Sequence, residues 1–132
     1  MKLFFILGNQ LFPPKYLDRF KNDHLFFMSE DYELCTYEKH HKLKILLFLS
    51  AMRSYLDNLK KNKFKVEYIK IDSSDFRKDY LEKVKKVIKL KKIKEITSFE
   101  IEDKFFENKL QNFVKKNGLV WNKIKSPMFL NS

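Results

Sequence analysis

Apolar residues in this chain fall into short continuous runs separated by longer stretches with a helical period. Lys2 to Leu7 is almost wholly apolar up to Gly8 and predicts a buried central strand. Pro13-Pro14 excludes regular pairing, so a short helical turn from Tyr16 to Phe20 is the expectation there. His24 to Met28 is a second apolar strand, closed by Ser29-Glu30, while Asp31 to Lys39 has no clean period and predicts a loop or a broken helical turn. A long helix follows from about His41 to Lys61. At about 100° per residue, Ile45, Phe48, Leu49, Met52, Leu56 and Leu59 form a stripe facing the sheet. Leu43, Leu46 and Leu47 point to the other side and call for a cover of their own.

The second half repeats the alternation. Phe64 to Ile71 opens with the in-out pattern of a half-exposed strand. Ser73, Ser74 and Asp75 are N-cap candidates for a helix from Phe76 to about Leu90, and Ile93 to Phe99 is the next strand. A helix from about Asp103 to Lys116 is expected to bury Phe106, Leu110 and Phe113 and to stop at Gly118. Leu119 to Ile124 is a last strand, and Pro127-Met128-Phe129-Leu130 leaves as a tail. Strands alternating with helices predict an α/β fold, an open parallel sheet with right-handed crossovers and helices on both faces.

Composition narrows the class. The 132 residues make one domain, and 44% hydrophobic residues argue for a packed globule over a disordered basic tail. The net charge of +11 comes from lysines scattered among acids, as in Lys60-Lys61, Lys85-Lys86 and Lys91-Lys92. They fit solvated helix faces, or a positive field that attracts phosphate and fades with salt. The lone Cys35 makes no internal disulfide and fits a reducing compartment. The apolar run near the N-terminus is too short for a signal-peptide core and no segment approaches a membrane span, so the expected location is cytoplasmic, with no membrane partner.

Candidate chemistry sits mostly at strand ends. Gly8-Asn9-Gln10 follows the first strand, where the crevice of a doubly wound sheet lies: the glycine permits close approach and the amides offer donors and acceptors, or the three form an ordinary polar turn. Glu30, just past strand two, would face the same crevice and suit ring N–H or ribityl hydroxyl donors, or else serve as a loop cap. With two glycines in the whole chain there is no dinucleotide fingerprint and no P-loop. His40 and His41 diverge on a helix, His24 begins a strand, and no spacing suits a metal. Ser50 lies inside a helix without a strained elbow, and Glu100, Glu102 and Asp103 suit a helix N-terminus.

Three segments carry a family resemblance: ILGNQLF (Ile6 to Phe12), Tyr37 through HHKLKILLFLSAMR (His40 to Arg53), and the helix-to-strand step from Leu59 to Val66-Glu67-Tyr68. The terminal Phe129-Leu130-Asn131-Ser132 adds to them. The chain resembles the N-terminal region of the photolyase-related proteins, the bacterial iron–sulfur branch of the photolyase and cryptochrome superfamily. That resemblance implies a Rossmann-like domain with parallel strands in the order 3-2-1-4-5 that binds a ribityl-lumazine antenna chromophore. Its pocket would be lined by Gly8, Asn9, Gln10 and Leu11, and completed by Glu30, Tyr37, His41 and Phe48. The family's helical portion holds FAD, an iron–sulfur cluster on four cysteines and the DNA lesion site, where light-driven electron transfer repairs (6–4) photoproducts.

The chain departs from the family pattern twice: Asn9 stands where an acid is usual, and Leu34 where a glutamate is. Phe48 is bulkier than the aliphatic residue expected there. With one cysteine and no segment for FAD, the expectation is an N-terminal antenna domain that is inactive alone and meets DNA only through the helical part, of the same or a split protein. The alternative is a stand-alone Rossmann-like binding or interaction module using its basic surface.

Overall fold

The computed structural model describes residues 1–8, 10–30, 42–70 and 80–126, with the backbone alone for 42–45. Five parallel strands form one sheet: β1 (Lys2–Phe5), β2 (His24–Ser29), β3 (Val66–Ile69), β4 (Glu95–Phe99) and β5 (Val120–Ile124). Their order is β3-β2-β1-β4-β5, as the resemblance implied, so the order in which successive strands are laid down reverses between β1 and β4 while all stay parallel. β1 is central, hydrogen-bonded to β2 from Lys2 opposite His24 to Phe5 opposite Phe27, and to β4 at Leu3 and Phe4. Its Leu3, Phe4 and Phe5 are all buried, which is why the sequence there runs apolar instead of alternating.

Among the described residues, three α-helices and one 3₁₀ helix cover the sheet: the 3₁₀ helix Pro14–Phe20, α1 (Lys42–Lys61), α2 (Tyr80–Lys91) and α3 (Lys104–Lys116). Alternate strand residues feed two cores. Phe4, Ile6, Phe26, Met28 and Phe99 pack under α1 and the 3₁₀ helix with Leu17, Met52 and Leu59. Leu3, Phe5, Leu25, Phe27 and Ile96 pack under α2 and α3 with Val84, Val87 and Leu110. The period-two alternation of a strand therefore sorts the phenylalanines of Phe4-Phe5 and Phe26-Phe27 onto opposite faces.

Helix α1 keeps the expected stripe at Leu49, Met52, Leu56 and Leu59, and Tyr55 joins it. Leu46 and Leu47 stand 63% and 62% exposed on the other side. Phe106 and Phe113 of α3 are half-buried against the core, not enclosed as Leu110 is. All three helices end alike: Lys63, Lys92 and Gly118 take a left-handed φ (64°, 54° and 63°). The next residue donates its N–H five residues back, Phe64 to Leu59, Ile93 to Ile88 and Leu119 to Val114. Each stop thereby drops an apolar residue at the approach to the next strand. Ser73, Ser74, Asp75 and the tail from Pro127 lie outside the described residues.

Candidate functional site

The carboxyl ends of β1 and β4 flank the point where strand order reverses, the position at which open α/β sheets bind ligands. The chain leaves β1 through a turn that returns the Gln10 N–H to Leu7 O at 2.9 Å. The Gln10 side chain then crosses the switch point, its Nε2 donating to Glu100 O at 2.8 Å. That bond fixes which end of the amide is which. The carbonyl Oε1 is buried with no hydrogen-bond partner among the described residues, on a side chain only 6% exposed. A buried acceptor left unmet costs about 1–3 kcal/mol, so it is a position where a donor belongs.

Two further contacts tie down Phe12, where this loop ends. Tyr55 Oη donates to Phe12 O at 2.5 Å, and the Phe12 ring meets Phe99 edge-on at 5.0 Å. Burial pushes the Tyr55 phenol up to about 12, so it stays a donor at neutral pH. Leu11 packs, partly buried, against the core beneath α1. Beyond β4, Asp103 caps α3 by accepting from the N–H groups of Phe105 and Phe106, the helix-terminal role the sequence indicated for it.

Glu30 occupies a different corner, at the end of β2. It is fully buried, and Arg53 grips it with Nε at 2.7 Å from Oε2 and a terminal nitrogen at 2.9 Å from Oε1. Tyr68 Oη of β3 adds a bond of 2.5 Å to Oε2. Burial first, and the neighbouring Glu30 carboxylate second, raise the Tyr68 phenol far above its ordinary value. Both carboxylate oxygens thus bind protein donors, and the corner works as a clamp joining β2, β3 and α1. The Ser-Ala-Met-Arg segment gains its meaning here: Met52 enters the core, Arg53 holds Glu30, and Ser50 and Ala51 face outward. Arg53 and Tyr68 were absent from the sequence-derived site. Both lay inside the quoted resemblance segments, which was the available signal.

Of the other predicted site residues, Gly8 and Phe48 are brought together: the Phe48 ring rests on the Gly8 main chain. Asn9, Tyr37 and His41 lie outside the described residues.

A separate groove of about 700 Å³ opens at the amino ends of the strands, lined by Lys2, Arg19, Asp23, His24, Glu95 and Thr97 among others. His24 Nδ1 lies 2.6 Å from Asp23 Oδ1 and 3.1 Å from Phe20 O, while Nε2 lies 2.9 Å from Thr97 Oγ1. In the neutral ring Nδ1 therefore carries the proton and Nε2 accepts the Thr97 hydroxyl. The His24 bond, first among the causes, holds the Asp23 carboxyl below its ordinary value. An acid–imidazole–hydroxyl chain suggests a nucleophile, yet Thr97 is 1% exposed in mid-strand, so the chain acts as a strut linking β2 to β4 across β1. Among the described residues no group of three His, Cys, Asp or Glu could hold a metal, and no helix is long and apolar enough to cross a membrane.

The parallel order 3-2-1-4-5, with Gln10 bridging its switch point, defines an open Rossmann-like α/β domain. The family model for deoxyribodipyrimidine photo-lyase-related proteins matches residues 4–132, and the chain belongs to that family. No curated protein matches it significantly.

Proposed function

We propose that this chain is the antenna-type domain of a photolyase-related protein, holding a lumazine-type chromophore at the switch-point crevice. The Gln10 carbonyl carries the assignment. It is a buried acceptor without a described donor, two residues from Gly8, and a ring N–H or ribityl hydroxyl is the donor we assign to it. Glu30, expected by resemblance to line this pocket, is instead engaged by Arg53 and Tyr68 and holds α1 and β3 to the end of β2. Asn9, Tyr37 and His41 remain assigned to the same pocket by resemblance.

When bound, the chromophore would supply light absorption and pass its excitation to a flavin. The residues of this chain have only to bind and orient it, since energy transfer depends on distance and angle and makes no bond. The flavin would sit in a helical part, of the same protein or another chain, which would also hold the iron–sulfur cluster and meet DNA. The exposed pair Leu46 and Leu47 offers that part an apolar contact. Titration of the protein with 6,7-dimethyl-8-ribityllumazine tests the proposal: a red-shifted near-ultraviolet band with quenched ligand fluorescence supports it. An unchanged spectrum at high micromolar ligand removes it.

A further inference from the structure

Gly8 and Phe48 fit each other too closely for either to be incidental. A Cβ on Gly8 would stand 2.2 Å from Phe48 Cζ, 2.8 Å from Cε2 and 3.3 Å from Cε1, the first two closer than a side-chain carbon can sit. The ring tip therefore lies directly on the Gly8 main chain. Backbone conformation does not demand glycine at this position, because among described glycines only Gly118 has a positive φ. What demands it is the flat object resting there. Phe48 is also the outlying member of its stripe, half-buried where Leu49 and Met52 beside it are buried.

We infer that Phe48 is the residue that sets the size and shape of what this crevice admits. Its ring covers the bare main-chain surface on which a planar heteroaromatic ligand would lie. Such a ligand enters by turning the ring aside and then donates to the Gln10 carbonyl, two residues along the same loop. The ligand class rests on the antenna proposal above; the plug rests on the Gly8–Phe48 contact alone. A protein whose binding-competent form is a minor population binds with an affinity reduced by that fraction, and removing the ring removes the reduction. The space left behind would be a ring-sized notch beside the Gly8 main chain, open to a planar aromatic molecule that carries an N–H donor.

Calorimetric titration of wild type, Phe48→Ala and Phe48→Leu with indole and with the lumazine tests this. Indole should bind Phe48→Ala and not the wild type, and the lumazine should bind Phe48→Ala about tenfold tighter than wild type. Indole binding by Phe48→Ala without lumazine binding by either protein would sink the antenna proposal and leave the plug standing. Equal lumazine affinity in all three proteins, with indole excluded from Phe48→Ala, would overturn the plug and leave the antenna proposal intact. Should Phe48→Ala fail to fold, Phe48→Leu carries the same comparison with a smaller gain. A readout without ligand is Gly8→Ala, which should lower the melting temperature modestly in wild type, by what turning the ring aside costs, and less in Phe48→Leu. Equal losses in the two backgrounds would overturn the contact itself.

Discussion

Arg53 and Glu30 meet through two parallel hydrogen bonds of 2.7 and 2.9 Å, fixing the middle of α1 to the end of β2. Glu30 is fully buried while the Arg53 side chain is 47% exposed, so the pair is asymmetric. Removing the arginine takes the opposite charge from a buried carboxylate that keeps its Tyr68 bond; breaking a pair costs about 3–5 kcal/mol when both partners are buried. Water reaching the Arg53 side lowers the expectation for Arg53→Ala to about 2–3 kcal/mol in urea unfolding. Arg53→Lys keeps the charge but not the fork and should recover only part of it. A loss within about 0.5 kcal/mol for Arg53→Ala, the range of ordinary surface substitutions, would contradict the clamp.

Tyr55 and Tyr68 both ionise later in the folded protein than the ordinary tyrosine value of about 10. Their contribution to stability is complete below about pH 10 and is lost as pH rises through the folded values, because the unfolded chain releases these protons first. For Tyr55 that window runs from about 10 to about 12; for Tyr68 it extends higher. Tyr68→Phe should therefore be less stable than wild type at pH 7, where it lacks the bond to Glu30, yet lose less on going from pH 9 to pH 11. Melting curves at the three pH values check this, and parallel losses in the two proteins would refute it.

Lys63 and Lys92 hold left-handed conformations that Gly118 adopts without strain. An L-residue pays about 1–2 kcal/mol there, part of which glycine returns as lost chain entropy. Lys92→Gly should thus stabilise the domain by about 0.5–1 kcal/mol. A destabilised Lys92→Gly protein in urea unfolding would show that lysine contributes at that helix end through something other than its backbone.

These helix ends mark what the sequence conveys. The stop at Gly118 was legible because glycine favours the left-handed region. Equivalent stops at Lys63 and Lys92 were not, since nothing about lysine announces a positive φ. The sheet was legible because buried parallel strands must run apolar, as Lys2 to Leu7 and His24 to Met28 do. Glu30 was legible as a strand-end carboxylate, but its partners depend on how α1 and β3 lie across β2, which no local pattern encodes. Tyr55 escaped the predicted stripe because its polar tip gave no hint of the Phe12 carbonyl waiting for it. The resemblance put Gly8 and Phe48 in one pocket, but their direct contact, between residues 40 positions apart, needed the fold itself.

Amide chemical-shift mapping by NMR during a titration with 6,7-dimethyl-8-ribityllumazine tests the central claim most directly, because it reports place as well as binding. Saturable shifts should concentrate at Leu7, Gly8, Gln10, Glu100 and Ile101, around the switch point, and leave Lys2, Asp23, His24 and Glu95 at the opposite end of the strands unmoved. Shifts confined to that opposite groove, or none at all at high micromolar ligand, would contradict an antenna site at the carboxyl ends of β1 and β4.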